Sequence, residues 1–198
     1  MGHQKDAPER AQPPQRADAQ RNRERILEVA LAELTRSADT PLSVIAKKAG
    51  VGQGTFYRNF PSREALVLEI YRHEVRQVAD SAARLLSTRE PDRALREWMD
   101  DLARFAMAKA GLADAIRQAT SGPGSPAKPG YSAVTEASEL LLHACEEAGL
   151  IRPGVTADDF FLAIGGLWQI DPDGDWQPRA ARLLDLIMDG LRAGAPGP

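Results

Sequence analysis

From about residue 20 to residue 193, nearly every segment repeats its apolar residues at three- and four-residue spacing, and none alternates them with the β-branched enrichment of a strand. An all-α fold of about nine helices is therefore expected. Leu27, Ala30, Leu31 and Leu34 mark a first helix, and Val67, Ile70, Tyr71, Val75, Val78, Ala82 and Leu85 mark a long one from about 62 to 87. Leu95, Trp98, Met99, Leu102 and Phe105 mark another, opened by Pro91 at a position suited to a first helical turn. A short helix is expected at 111 to 119, and the three Gly and three Pro between Thr120 and Gly130 predict a mobile loop. Val134, Ala137, Leu140, Leu141, Ala144 and Ala148 give the next helix. Thr156 with Asp159 forms a capping-box pattern ahead of Phe160, Phe161, Ile164, Leu167 and Trp168, and the last helix carries Leu183, Leu184, Ile187 and Leu191. The ends lack this periodicity: residues 1–19 read as a disordered arm, and 194–198 as a loose tail.

The most informative stretch is Thr40 to Phe60, TPLSVIAKKAGVGQGTFYRNF. Thr40 is placed to cap a helix that begins with Pro41, and Leu42, Ile45 and Ala46 give that helix one short apolar face. Gly50 supplies the positive φ needed to leave it sharply, Val51 plugs the corner, and a second short helix starts near Gly52. On that helix Phe56 and Phe60 stand four apart and face the core. Gln53, Thr55, Tyr57, Arg58 and Asn59 are left for the other surfaces. Such side chains reach base edges and phosphates from a helix lying in the major groove of DNA.

Composition narrows the field. A 198-residue chain that is 43% hydrophobic can build a core without staples. Its single cysteine, Cys145, precludes an internal disulfide, and a cytoplasmic protein is expected. No apolar run approaches the roughly 20 residues of a membrane-spanning helix. The net charge of -3 argues against nucleic acid only when taken whole. From Arg21 to Phe60 seven basic residues face four acidic ones, a balance of +3, whereas residues 89–198 hold eleven basic against seventeen acidic, or -6. A basic start on an acidic body suits a protein with one DNA-facing end. His3, His73 and His143 have no metal spacing, and no phosphate loop or nucleophile elbow occurs, so neither catalysis, metal nor cofactor is expected. Asp171, Asp173 and Asp175 begin like a calcium loop, but Trp176 stands where glycine is required and Arg182 where glutamate is. Cys145, beside Leu141, Ala144 and Ala148, reads as buried packing.

The string AGVGQGTFYRNF, followed by Pro61-Ser62-Arg63-Glu64-Ala65-Leu66, resembles the TetR family of bacterial transcriptional regulators over roughly residues 22–70. The family's pattern stands here as Ala49-Gly50-Val51, Thr55, Tyr57, Phe60, Arg63 and Leu66; Gly52 replaces the usual serine, and Gly54 makes the helix less rigid. The resemblance implies a helix-turn-helix domain at 20–66, with the helix at 62–87 as connector, and a ligand-binding and dimerisation domain at 67–193. It also implies that Gln53, Thr55, Arg58 and Asn59 face the groove with Gly54 among them, Gln53 and Arg58 being the direct base readers. Tyr57, Lys48 and Arg63 would grip phosphates, Ser43 would touch backbone or base, and Arg21 and Arg25 would add phosphate contacts.

One such unit offers a small interface, so two are expected, with recognition helices about 34 Å apart on a pseudo-palindromic operator. In similar regulators the last two helices form the homodimer, which here points to Ile164, Gly165, Leu167, Leu183, Leu184, Ile187 and Leu191. The preceding helices would surround a small-molecule pocket lined by Trp98, Met99, Leu102, Phe105, Ile116, Tyr131, Leu140, Leu141, His143 and Trp168. Glu136, Glu139 and Asp171 nearby would favour a cationic aromatic effector. The reading is a repressor released from its operator by a small hydrophobic or aromatic ligand; the alternative is an architectural or protein-interaction bundle without sequence readout.

Overall fold

The computed structural model describes residues 14–110, 112, 116 and 131–197, the side chains of 14–17, 109, 110 and 131 excepted. Among the described residues there are eight α-helices and no strand. They are α1 (Pro14–Arg36), α2 (Leu42–Lys48), α3 (Gln53–Asn59), α4 (Arg63–Leu86), α5 (Pro91–Ala110), α6 (Tyr131–Glu147), α7 (Ala157–Ala163) and α8 (Trp176–Arg192), with a 3-10 turn at Ile164–Gln169 after α7. The short helix expected at 111–119 lies mostly outside the described residues, as do the loop at 120–130 and residues 1–13. Within it, the Ile116 N–H donates to the Leu112 carbonyl at 2.8 Å, one helical turn.

Three expectations change. Helix α1 starts at Pro14, inside the stretch read as a disordered arm; Pro is tolerated in a first helical turn, where its missing N–H has no intrahelical partner anyway. The tail is pinned as far as Gly197, whose N–H donates to the Gly149 carbonyl at 3.1 Å. The helix capped by Thr156 does not run on to Trp168. The capping box forms, with the Asp159 N–H donating to Thr156 Oγ1 at 3.1 Å and the Thr156 N–H to Asp159 Oδ2 at 3.3 Å. After Ala163, however, the chain tightens into the 3-10 turn that contains Gly165 and Gly166.

Apolar burial divides between two cores. The first gathers Ile26, Leu27, Ala30 and Leu34 of α1, Ile45 and Ala46 of α2, Phe56 of α3 with Phe60 just beyond it, and Leu66, Val67 and Ile70 of α4; Leu112 and Ile116 join it. The second, in the body, gathers Val75, Val78 and Ala82 of α4 with residues of α5, α6, α7, the 3-10 turn and α8. Helix α4 therefore belongs to both, and Tyr71 packs against each. Its start is fixed by Ser62, whose Oγ accepts the Ala65 N–H at 3.1 Å. In the body, Trp98 is fully buried, stacks on Phe160 at 6.1 Å between centroids, and satisfies its indole N–H on the Val78 carbonyl at 2.8 Å. Ion pairs tie α5 to α8, Arg96 to Asp185 at 2.9 Å and Arg192 to Asp92 at 2.9 Å.

Candidate nucleic-acid interface

Helix α2 ends where Gly50 takes φ +67°, and the Val51 N–H reaches back to the Ala46 carbonyl at 3.0 Å. This turn sets α3 across α2. Phe56 and Phe60 are fully buried with ring centroids 5.6 Å apart, and the Arg23 guanidinium lies 4.9 Å above the Phe60 ring. Arg23 also pairs with Glu69 of α4 at 2.7 Å, clamping α1 over the end of α3. With that face of α3 buried, Gln53, Gly54, Tyr57, Arg58 and Asn59 are exposed and Thr55 is half-buried. Tyr57 keeps 43% of its surface in solvent although its ring meets Phe56 edge-on at 5.7 Å. Local bonds order the row: Arg58 Nη2 donates to Thr55 Oγ1 at 3.1 Å, and Asn59 Nδ2 to the Thr55 carbonyl at 2.8 Å. Ser43, Val44 and Lys47 of α2 are exposed too.

Thr40 does not cap α2. Its hydroxyl donates to the Ser37 carbonyl at 2.9 Å and the Glu33 carbonyl at 3.3 Å, satisfying the open end of α1, while Pro41 takes the N-cap position of α2 with no side-chain bond. Two of the predicted phosphate grips are engaged inside the protein. Lys48 Nζ lies 2.7 Å from Glu33, whose carboxylate also meets Arg36. The Lys48 bond holds the Glu33 carboxyl below the usual glutamate range against the opposing effect of burial, with Arg36 adding to it. Arg63 donates from Nη1 to the Ala38 carbonyl at 2.7 Å and from Nη2 to the Thr40 carbonyl, bracing the link between α1 and α2. Arg21 and Arg25 are exposed on α1, the first paired to Asp18, the second donating to Asn22 Oδ1 at 2.8 Å. Lys47 is exposed with no partner among the described residues; its four-residue spacing from Ser43 was the signal for it in the sequence.

The residues expected to line a pocket fall in several places in the body. Trp98, Met99, Leu102 and Leu141 are buried in close packing, and Ile116 belongs to the other core. Leu140, 47% exposed, Trp168, 42% exposed, and His143, beside Glu147, stand at the surface; the Tyr131 side chain lies outside the described residues. Phe105 does line a cavity, of about 290 Å³ between α4 and α5. The residues expected at a dimer interface divide by burial within the single chain. Ile164, Leu167 and Leu184 are fully buried within one chain and Leu191 nearly so, because they face their own core. Gly165, Leu183 and Ile187 are half-buried. The most exposed large apolar residues are Leu162, at 80%, and Leu186, at 69%; their chain neighbours Ala163 and Ile187, with Gly190, help to line a hollow of about 400 Å³. Cys145 is buried, its thiol pushed up to about 12 by burial and the nearby Asp92, which leaves no reactive thiolate at neutral pH. Among the described residues no group of His, Cys, Asp and Glu is arranged to hold a metal ion, and no helix is long and apolar enough to cross a membrane.

This arrangement has clear relatives. The family model of bacterial regulatory proteins of the tetR family matches residues 26–70, and that of the C-terminal domain of SbtR-like transcriptional regulators matches residues 90–193. A TetR transcriptional regulator from Streptomyces coelicolor is 40% identical, superposes with a TM-score of 0.78, and the match covers 86% of this chain and 98% of that one. A TetR regulatory protein from Mycobacterium vanbaalenii is 34% identical with a TM-score of 0.71, over 90% of this chain and 99% of that one. At 23% identity and a TM-score of 0.59, a TetR family regulator from Thermus thermophilus shares the fold over 84% of this chain and 98% of its own. No curated protein matches the sequence. With both halves matched in order and in place, the chain belongs to the TetR family of bacterial transcriptional regulators.

Proposed function

We propose that the chain acts in the cytoplasm as a homodimeric repressor that reads a pseudo-palindromic operator with α3 and leaves it when a small molecule binds the body. The observation that carries the reading is the division of α3: Phe56 is fully buried while Gln53, Tyr57, Arg58 and Asn59 are exposed around it. A helix of seven residues, anchored by Phe56 with Phe60 just beyond it, presents a polar row whose bonds among the described residues stay within the helix. Gln53 and Arg58 read base edges, as amide and guanidinium groups do in a major groove. Tyr57, Ser43 and Lys47 bind phosphates and fix the register. Lys48 and Arg63 reach phosphates only by exchanging their present partners, the Glu33 carboxylate for the first and the Ala38 and Thr40 carbonyls for the second.

Regulators of this family bind operator DNA as dimers. In this chain the face carrying Leu162 and Leu186 is the dimer surface, since large apolar side chains left in solvent mark a surface meant to be covered. Selection of bound duplexes from a random pool tests the reading. The expected product is two inverted half-sites with centres about one helical turn, or a multiple of it, apart. Arg58→Ala then costs about 1–3 kcal/mol and relaxes preference at one position per half-site. A pool that emerges without enrichment, or binding equally strong to any duplex, refutes sequence readout and leaves an architectural bundle.

A further inference from the structure

The cavity between α4 and α5 lies on the outer flank of these helices, apart from the closely packed interior of Trp98, Met99 and Leu102. Its apolar part is Val78 with the ring of Phe105, which is itself fixed by the Tyr71 ring at 5.9 Å. Ser81 is nearly fully buried and lends its hydroxyl to the Val78 carbonyl at 2.8 Å. Four charged side chains line the cavity, two of each sign: Glu74 and Arg84 from α4, Asp101 and Arg104 from α5. Arg104 and Asp101 are paired with each other. Among the described residues, Glu74 and Arg84 make no ion pair or side-chain hydrogen bond, so one carboxylate and one guanidinium remain uncommitted along a single groove.

The two stand ten positions apart on α4, about 15 Å at 1.5 Å per residue. Allowing for the reach of the longer arginine back toward the start of the helix, and for a hydrogen bond of about 2.9 Å at each end, the complementary charges of a ligand would be roughly 6–9 Å apart. An amine alone would leave Arg84 unmatched, and a carboxylate alone would leave Glu74. We propose that this groove binds an elongated zwitterion, with its ammonium on Glu74, its carboxylate on Arg84 and its apolar middle against Phe105 and Val78.

The site sits where binding can be felt by the DNA-binding end. Glu28 of α1 faces Glu74, and burial together with this repulsion pushes the Glu74 carboxyl above the usual glutamate range. A polar hollow of about 550 Å³ adjoins the cavity at Gln77 and Arg84 and brings Glu24 and Glu28 of α1 against His73, Arg76 and Asp80 of α4. The His73 imidazole is held below its usual range by burial and then by Arg76, against the opposing pull of Glu24 and Glu28. An ammonium on Glu74 removes the repulsion across the seam between α1 and α4 and lets α1, with the rest of the DNA-binding module, close on the body. This last step rests on the regulator reading above; the site itself does not.

Calorimetry of the full chain with 4-aminobutyrate, 6-aminohexanoate and 8-aminooctanoate, beside hexylamine and hexanoate, tests it. The expected result is saturable binding of 6-aminohexanoate at least tenfold tighter than of either single-charged compound. Glu74→Gln reduces it to the level of hexanoate, and Arg84→Gln to that of hexylamine. Arg84 is exposed and Glu74 half-buried, and unchanged far-ultraviolet circular dichroism establishes that each variant is folded. No saturable binding by any of the three, equal affinity for the single-charged compounds, or binding indifferent to both substitutions overturns the site. Binding as expected with operator affinity unchanged at fixed salt overturns the coupling step and leaves the site standing. Failure of the unliganded protein to select an operator defeats the regulator reading alone.

Discussion

Gly54 is the second residue of a seven-residue helix, and glycine there leaves the unfolded chain more conformational freedom than alanine would, a difference of about 0.4–1 kcal/mol. A Cβ at that position would meet no heavy atom within 4 Å and its φ is not in the left-handed region, so none of the described residues requires the missing side chain. If α3 enters a groove as proposed, the bare backbone at Gly54 allows close approach of the duplex. Gly54→Ala is therefore expected to raise stability by about 0.4–1 kcal/mol while weakening operator binding, read by thermal melting and by fluorescence anisotropy. An alanine variant that binds as well as the parent removes Gly54 from the interface. Glu33 makes the opposite kind of prediction, about the protein alone. Its carboxyl is held below the usual glutamate range in the folded chain, first by Lys48, so its pairs add stability above the unfolded value of about 4.3 and lose it as pH falls through the lowered folded value. Glu33→Gln should be less stable than the parent near neutrality, and the gap between their melting temperatures should close as the pH drops below the usual carboxylate range. A gap that stays constant in acid shows that the Glu33 charge contributes nothing.

At the scale of elements, α3 is too short to persist without tertiary support and depends on Phe56 and Phe60. Phe56→Ala should cost about 3–5 kcal/mol, abolish operator binding, and raise amide exchange in α2 and α3 while the body, with its separate core, keeps its protection. Equal loss of protection in both cores would show that they unfold as one unit. This division of the helix into a buried and an exposed side was legible in the sequence because Phe56 and Phe60 recur at helical spacing and the residues between them are polar. Helix α4 was legible to within a residue at each end, since its apolar stripe runs unbroken from Leu66 to Ala82. Other features were not. Periodicity at Phe160, Ile164 and Leu167 fits a three- as well as a four-residue repeat, and the outcome turns on packing, with the position of a Cβ on Gly166 only 3.2 Å from Leu183 Cδ2. Thr40 carries a capping signature, but a hydroxyl between two helices can serve either, and α1 claims it. Aromatic and methionine residues that suit a pocket are also the ones a core takes first, and the stripe that marks the last helices as amphipathic holds Ile164, Leu167 and Leu184, which are buried within the single chain. The most exposed apolar side chains, Leu162 and Leu186, are out of phase with that stripe, and a search for periodicity passes over them.

For the whole molecule, the balance of charge makes assembly decisive. The chain carries -3 overall, and the basic surplus near α1 to α3 is small, so a single module has few cations with which to displace counterions from DNA. Two modules joined by one surface double the phosphate contacts and fix their spacing along the duplex, which is how a weak interface becomes a specific one. Leu162→Glu with Leu186→Glu tests whether the outward apolar face does the joining. Both side chains are mostly in solvent, so neither change opens a cavity, and the folded monomer should survive with its melting temperature independent of protein concentration. Sedimentation should show a dimer for the parent and a monomer for the variant. In the same samples the slope of log affinity against log salt should fall to about half, because half the phosphate contacts are lost from each binding event. A double variant that still sediments as a dimer places the interface elsewhere on the body. A parent that is monomeric while it holds its operator removes the dimer from the mechanism altogether, since α3 of one chain would then be sufficient.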